Sequence, residues 1–179
     1  MKKLIALSIL SLIALGLTGC GEEGSSDYLT DLGDANLFPD PSGRYSITYP
    51  SDWFYFETTI GPGKERTTWH TNGTGEVTLG ITDWLPNGLA TITVLEWAQE
   101  NRDRLIVEGY VLVQDISPIV NANKNTGYEF TVRLGSNEYR IAFFFNNLNE
   151  QFDLTFYYDV GNSDASLTQI IENFETTDL

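Results

Sequence analysis

The sequence predicts an α+β domain in which two helices pack on an antiparallel sheet. Three observations carry that prediction. Most of the chain consists of short segments with apolar residues at alternate positions, or with β-branched and aromatic residues in runs. The links between these segments are short and contain Gly, Pro, Asn or Ser, which favours antiparallel hairpins. Two stretches change period and place apolar residues three and four apart, and amphipathic helices of that kind need a sheet face to cover.

The elements follow in order. In Arg44–Pro50, RYSITYP, residues Tyr45, Ile47 and Tyr49 point one way and Ser46 and Thr48 the other, so this is a half-buried strand ended by Pro50. WFYFETT from Trp53 is a second strand, GPGK at Gly61–Lys64 is a turn, and RTTWH and EVTLGITDW are two further strands. Thr93-Val94-Leu95-Glu96 then matches a capping box, in which the Thr hydroxyl and the Glu carboxylate each satisfy a free N–H of the first turn. Leu95, Ala98, Arg102 and Leu105 share one face of the helix, with Val94 and Trp97 beside it, and Gly109 is a natural residue to end it. YVLVQ and SPIV are strands that precede a polar turn at Asn121–Asn125. GYEFTVRL and EYRIAFFF are joined through Gly135-Ser136-Asn137, and NNLNE leads into QFDLTFYY as a second hairpin. Phe144 faces opposite to Phe143 and Phe145, which suits a central strand covered on both sides, and the same holds for Phe156-Tyr157-Tyr158. Leu167, Ile170, Ile171 and Phe174 close the chain with an amphipathic helix capped by Ser163 or Asp164.

The amino end has a different character. Met1-Lys2-Lys3 is basic, and Leu4–Leu17 carries no charge. That run is short for a membrane span, which needs roughly 20 residues, and fits the apolar core of an export signal. Residues 1–19 read as a signal peptide. Residues 20–40 read as an acidic, Gly- and Ser-rich tether without a basic residue, and residues 41–179 as the folded domain. Asp31, Asp34 and Asn36 lie close together in the tether but lack the ligand spacing of a calcium loop. Cys20 is the only cysteine, so neither an internal disulfide nor a cysteine metal site can form. The chain has 25 Asp and Glu against 10 Lys and Arg, a formal charge of −15, which becomes −17 without Lys2 and Lys3. Such a surface repels nucleic acid and anionic headgroups and attracts cations or a basic partner.

Two resemblances add to this reading. Leu17-Thr18-Gly19-Cys20 resembles the lipobox of bacterial lipoproteins. The resemblance implies cleavage before Cys20, a diacylglyceryl group on its thiol and palmitate-type acylation of its new amino terminus. Two or three chains would hold the protein durably at a membrane, where one anchors only marginally. It places the protein on the extracytoplasmic side of a bacterial membrane, periplasmic in a cell with two membranes. There Gly21 in place of a retaining Asp leaves the outer membrane open. The segment Gly43–Trp53, GRYSITYPSDW, is similar to the first strand of PsbP-like proteins, and Leu167…Ile170-Ile171…Phe174 resembles their last helix. This second resemblance covers roughly residues 38–176. It implies an α/β/α sandwich with a central antiparallel sheet flanked by helices. The family includes an extrinsic subunit of photosystem II, cyanobacterial lipoproteins linked to its assembly, and lipoproteins of non-photosynthetic bacteria. Their common thread is binding, although the fold alone does not fix a function.

No catalytic constellation stands out. His70 is the only histidine, so any nucleophilic triad needs it, and it follows Trp69 in a strand with no Gly-x-Ser-x-Gly elbow elsewhere. A zinc site from one His without a free Cys is disfavoured, and GPGK lacks the spacing of a phosphate loop. Asp83 beside Trp84 either rims a pocket or stands where Trp84 closes the core. Asn72-Gly73-Thr74 fits a glycosylation acceptor, a pattern without meaning after bacterial export. The expectation is therefore a non-enzymatic lipoprotein with no catalytic residue, no cofactor and no metal ligand. Its one functional residue is the lipidation site Cys20. Its partners are the membrane, through that lipid, and a protein of an envelope or membrane complex, with no nucleic acid. A small-ligand or divalent-cation-binding lipoprotein is the alternative, and a carboxylate-based hydrolase ranks last.

Overall fold

The computed structural model of the protein describes residues 35–61, 64–70, 77–84, 92–160 and 165–177. Cys20, the centre of the GPGK turn, the Asn72-Gly73-Thr74 triplet and the caps Ser163 and Asp164 lie outside the described residues.

Among the described residues, ten strands and two helices run in the order β1 (Ala35–Pro39), β2 (Tyr45–Pro50), β3 (Phe54–Gly61), β4 (Lys64–His70), β5 (Thr78–Trp84), α1 (Val94–Val107), β6 (Val111–Val120), β7 (Thr126–Leu134), β8 (Asn137–Phe145), β9 (Gln151–Asp159), α2 (Ala165–Glu172) and β10 (Glu175–Thr176). Seven strands form one antiparallel sheet in the order β3-β4-β5-β9-β8-β7-β6. A small antiparallel sheet, β1-β2-β10, lies over one of its faces. The architecture is thus mostly antiparallel β.

The expected sandwich is met only roughly. One face of the large sheet does carry a helix: Trp97, Ala98 and Leu105 of α1 pack on Phe130, Val132 and Phe143. The opposite face is covered mainly by strands, with α2 beside them. The inward side chains of β2, Tyr45, Ile47 and Tyr49, meet Trp69, Leu79, Ile81 and Phe152, while Leu167, Ile170, Ile171 and Phe174 close the end. Residues 35–39 belong to this layer as well. The composition of residues 20–40 argues for a tether, but β1 pairs with β2, and Phe38 is buried against Tyr55 and Trp69, which holds β1 on the large sheet.

Local chemistry explains the element ends. Thr93 and Glu96 form the capping box, with Glu96 N–H donating to Thr93 Oγ1 at 3.2 Å and Thr93 N–H donating to Glu96 Oε2 at 2.7 Å. Gly109 leaves α1 with φ +99°, a conformation that costs glycine least. The two-residue turn between Leu134 and Asn137 puts Gly135, φ +64°, at the first central position, which a type II′ turn gives to glycine. β6 is one continuous edge strand with two register shifts, so YVLVQ and SPIV are halves of a single bulged element, and its Pro118 is tolerated at the sheet edge. The alternation expected of the aromatic triplets holds: Phe144 lies in the core under β2 and Phe143 in the core under α1.

Candidate functional site

The densest polar chemistry among the described residues lies where the start of β2 crosses β4 and β5. Asp40 closes the turn before β2. Its Oδ2 accepts from the N–H of Ser42 at 3.1 Å, from that of Arg44 at 3.2 Å, and from the Ser42 hydroxyl. This turn aims Arg44 inward. Its guanidinium lies 2.7 Å from Asp83 Oδ2 on β5 and 3.4 Å from Glu65 Oε2 on β4, and its Nε donates to Ser42 Oγ at 2.9 Å. Asp83 continues the inward parity of Leu79 and Ile81, so β5 carries a carboxylate into the core and Arg44 meets it there. Next to the pair, the Tyr45 hydroxyl donates to Thr67 Oγ1 at 2.9 Å. A cavity of about 240 Å³ opens beside these groups, lined by Asp40, Pro41, Glu57, Thr58, Glu65, Arg66 and Thr67.

The electrostatics favour a held proton here. Burial pushes the Asp83 carboxyl up to about 7; Arg44 opposes this, while Asp40, Glu150 and Glu65 add to it. One guanidinium is outweighed by desolvation and three neighbouring carboxylates. Asp83 Oδ1 and Arg44 Nη1 are buried without a hydrogen-bond partner among the described residues, so the pair is imperfectly satisfied. Burial also raises the Tyr45 hydroxyl, against the bond to Thr67, with Asp40, Asp83 and Glu57 adding to the rise. The arrangement can hold or release one proton near neutrality, beside a cavity lined by three carboxylates and Arg66. No group of three or more His, Cys, Asp or Glu placed to hold a metal ion occurs among the described residues.

Two further polar clusters serve the sheet. On the face shared with α1, Asp153 of β9 accepts from Trp84 Nε1 at 2.6 Å and from Thr155 Oγ1 at 3.1 Å, and burial raises its carboxyl. Arg66 adds an opposing charge, its guanidinium crossing β5 over Gly80, where a Cβ would stand 2.2 Å from Arg66 Nη2. On the other face, Arg140 grips Glu129 with two bonds of 2.7 and 3.0 Å and donates a third, at 3.0 Å, to Thr168 of α2.

The residues singled out from sequence land as follows. Asp83 lines the back of the polar cluster in the core. Trp84 packs edge-on against Trp97 on the α1 side, so the two neighbours point to opposite faces and do not form one rim. His70 is half-buried between the rings of Phe54 and Phe56, at 5.5 and 5.3 Å, with Nδ1 3.2 Å from Thr78 Oγ1. Cys20 lies outside the described residues. Asp40, Arg44 and Glu65 were missed by sequence reasoning. The signal for them is the inward parity of Asp83, which demands a buried cation without saying which one.

No protein-family model matches the chain, and no curated protein does. Among solved structures, the chain is similar to cyanobacterial PsbP (CyanoP) from Synechocystis sp. PCC 6803. The TM-score is 0.54 at 15% identity, over 89% of this chain and 98% of that one. It also overlaps a crystal structure from Bacteroides thetaiotaomicron, with a TM-score of 0.46 at 16% identity, over 81% of this chain and 49% of that one. The first likeness shows a PsbP-like fold.

Proposed function

We propose that the protein is a membrane-anchored extracytoplasmic lipoprotein whose PsbP-like domain is a non-catalytic binding or assembly-accessory module for an envelope or membrane complex. The observation that carries this reading is the lipobox-like Leu17-Thr18-Gly19-Cys20, set directly after the uncharged Leu4–Leu17 and ahead of the domain. The buried carboxylates have structural partners. Asp83, Glu129 and Asp153 are engaged with Arg44, Arg140 and Trp84, inside layers that hold the sheet together. The test is in-cell crosslinking of the tagged protein purified from membranes, with Cys20→Ala beside it. Lipid mass on Cys20 and one co-purifying protein lost in the variant are expected. A chain without lipid, or one that returns alone, counts against the anchor or the accessory role respectively.

One observation favours a second reading, a lipoprotein that binds a small ligand or divalent cation: Asp40, Glu57 and Glu65 line a single cavity and outnumber its one cation, Arg66. Calorimetric titration with Ca²⁺, Mn²⁺ and Zn²⁺, and with small amines, separates the two. Absence of heat in every case removes this reading.

A further inference from the structure

The edge strand β3 exposes three consecutive aromatic residues. Phe54, Tyr55 and Phe56 are 52%, 46% and 48% exposed, although a strand of a folded sheet ordinarily hides one of its two faces. Phe54 and Phe56 share one face of β3, stacked on His70, and Tyr55 points to the other, on a strand that has β4 as its one neighbour among the described residues. Leu37 of β1, 66% exposed, belongs to the same end of the molecule. The packing shows why: Tyr55 meets Phe38 at 4.7 Å and Tyr49 at 6.3 Å, and these two rings belong to β1 and β2.

The chain enters the fold at this same place. Ala35, the first described residue, pairs with Pro50, whose carbonyl accepts from Trp53 N–H at 3.1 Å, and Phe54 opens β3 directly after it. The aromatic edge therefore stands beside the point where the segment from Cys20 joins the domain. Even fully extended, that segment spans no more than roughly 50 Å. A lipid on Cys20 thus confines this end of the domain near the bilayer, which raises the local concentration of the aromatic edge at the surface. Half-exposed aromatic rings on a polar frame are suited to the membrane–water interface. Edge-strand N–H and C=O groups without a ladder partner among the described residues would find partners in headgroups and interfacial water. A second apolar patch, with Val107 and Val111 87% and 64% exposed, lies where α1 leads into β6, the opposite edge strand, away from the entry point.

We propose that Phe54, Tyr55 and Phe56, with Leu37, form a membrane-docking edge that seats the domain on the bilayer carrying its anchor. The inference rests on the lipoprotein reading for its geometry. Asp52 and Glu57 flank the aromatics in sequence, and the whole chain is acidic, so the surface it fits is a bilayer poor in anionic lipid.

The test is photo-crosslinking of the full chain in its membranes. A benzoylphenylalanine replaces Phe54, Phe56 or, as control, Val113 on β6. Phospholipid adducts at 54 and 56, several-fold above those at 113 and falling as the anionic lipid fraction rises, are expected. Adducts at 54 and 56 to a second copy of the chain or to another protein would overturn the proposal and assign the edge to that occupant. So would equal lipid yields at all three positions, or no adduct at 54 and 56. Lipid on Cys20 is read separately by mass: a membrane-held chain without it refutes the lipoprotein reading, while its adducts at 54 and 56 still decide the docking edge.

Discussion

Replacing Asp83 with Asn should change how the stability of the domain responds to pH. In the folded protein the Asp83 carboxyl holds its proton up to about pH 7, whereas the ordinary value is 3.8. Between those limits the native state keeps a proton that the unfolded chain releases. Stability from this group is therefore complete below about pH 4 and is lost as pH rises through about 7. Each tenfold difference in proton affinity between the two states is worth about 1.36 kcal/mol, so the full loss is on the order of 4 kcal/mol. Asn cannot titrate, and every other group is common to both chains. The stability gap between wild type and Asp83→Asn should thus move by roughly 4 kcal/mol between pH 4 and pH 8, in favour of the variant at high pH. Urea unfolding reports it through Trp53, Trp69 and Trp97, all buried in the fold. Parallel stability curves would refute the reasoning. A gap that moves against the variant as pH rises would show that Arg44 dominates and keeps Asp83 ionised throughout.

Gly127→Ala places a Cβ 2.5 Å from the Phe143 carbonyl oxygen and 2.5 Å from the Phe144 ring, so it should cost at least the roughly 1–3 kcal/mol of an overpacked core, seen as a lower Tm. Arg140→Met strands Glu129 inside the fold and should cost about 3–5 kcal/mol, whereas Arg104→Ala breaks an exposed pair with Glu108 and should cost about 1 kcal/mol or less; equal losses in denaturant unfolding would contradict the burial argument. Thr93→Ala removes the α1 cap and should cost about 1 kcal/mol, with amide exchange in the first turn of α1 accelerating before that of β7.

The legible parts of the fold were those with strong periodicity. The alternation of Tyr45, Ile47 and Tyr49 and the apolar triplet Phe143–Phe145 each pointed to the layer that covers them, and Thr93 with Glu96 marked the start of α1 to the residue. What escaped depends on contacts distant in sequence. β1 carries one buried side chain, Phe38, in a stretch whose composition suits a tether, so tertiary contact overrides the local signal. β10 is two residues long and exists because β2 offers it a ladder. The second layer is for that reason a sheet with one helix where two helical layers were expected. The polar cluster was half visible: the parity of Asp83 marks it as inward, but Arg44 precedes its strand and reaches the site through the Asp40 turn, which periodicity does not describe.

β2 lies between β1 and β10, so one strand holds the first and the last described segments of the chain. Its bond from Ser46 to Glu175 joins residues 129 apart, and the turn at 121–125 clasps the same closing strand through Asn123 and Asn125. Contacts of such separation form late, because loop closure must precede them. A chain that is synthesised or translocated amino end first therefore waits for Thr176 before this layer can seal. Until then the aromatic core beneath β2 has an open side, and losing the last few residues would leave it unsealed for good.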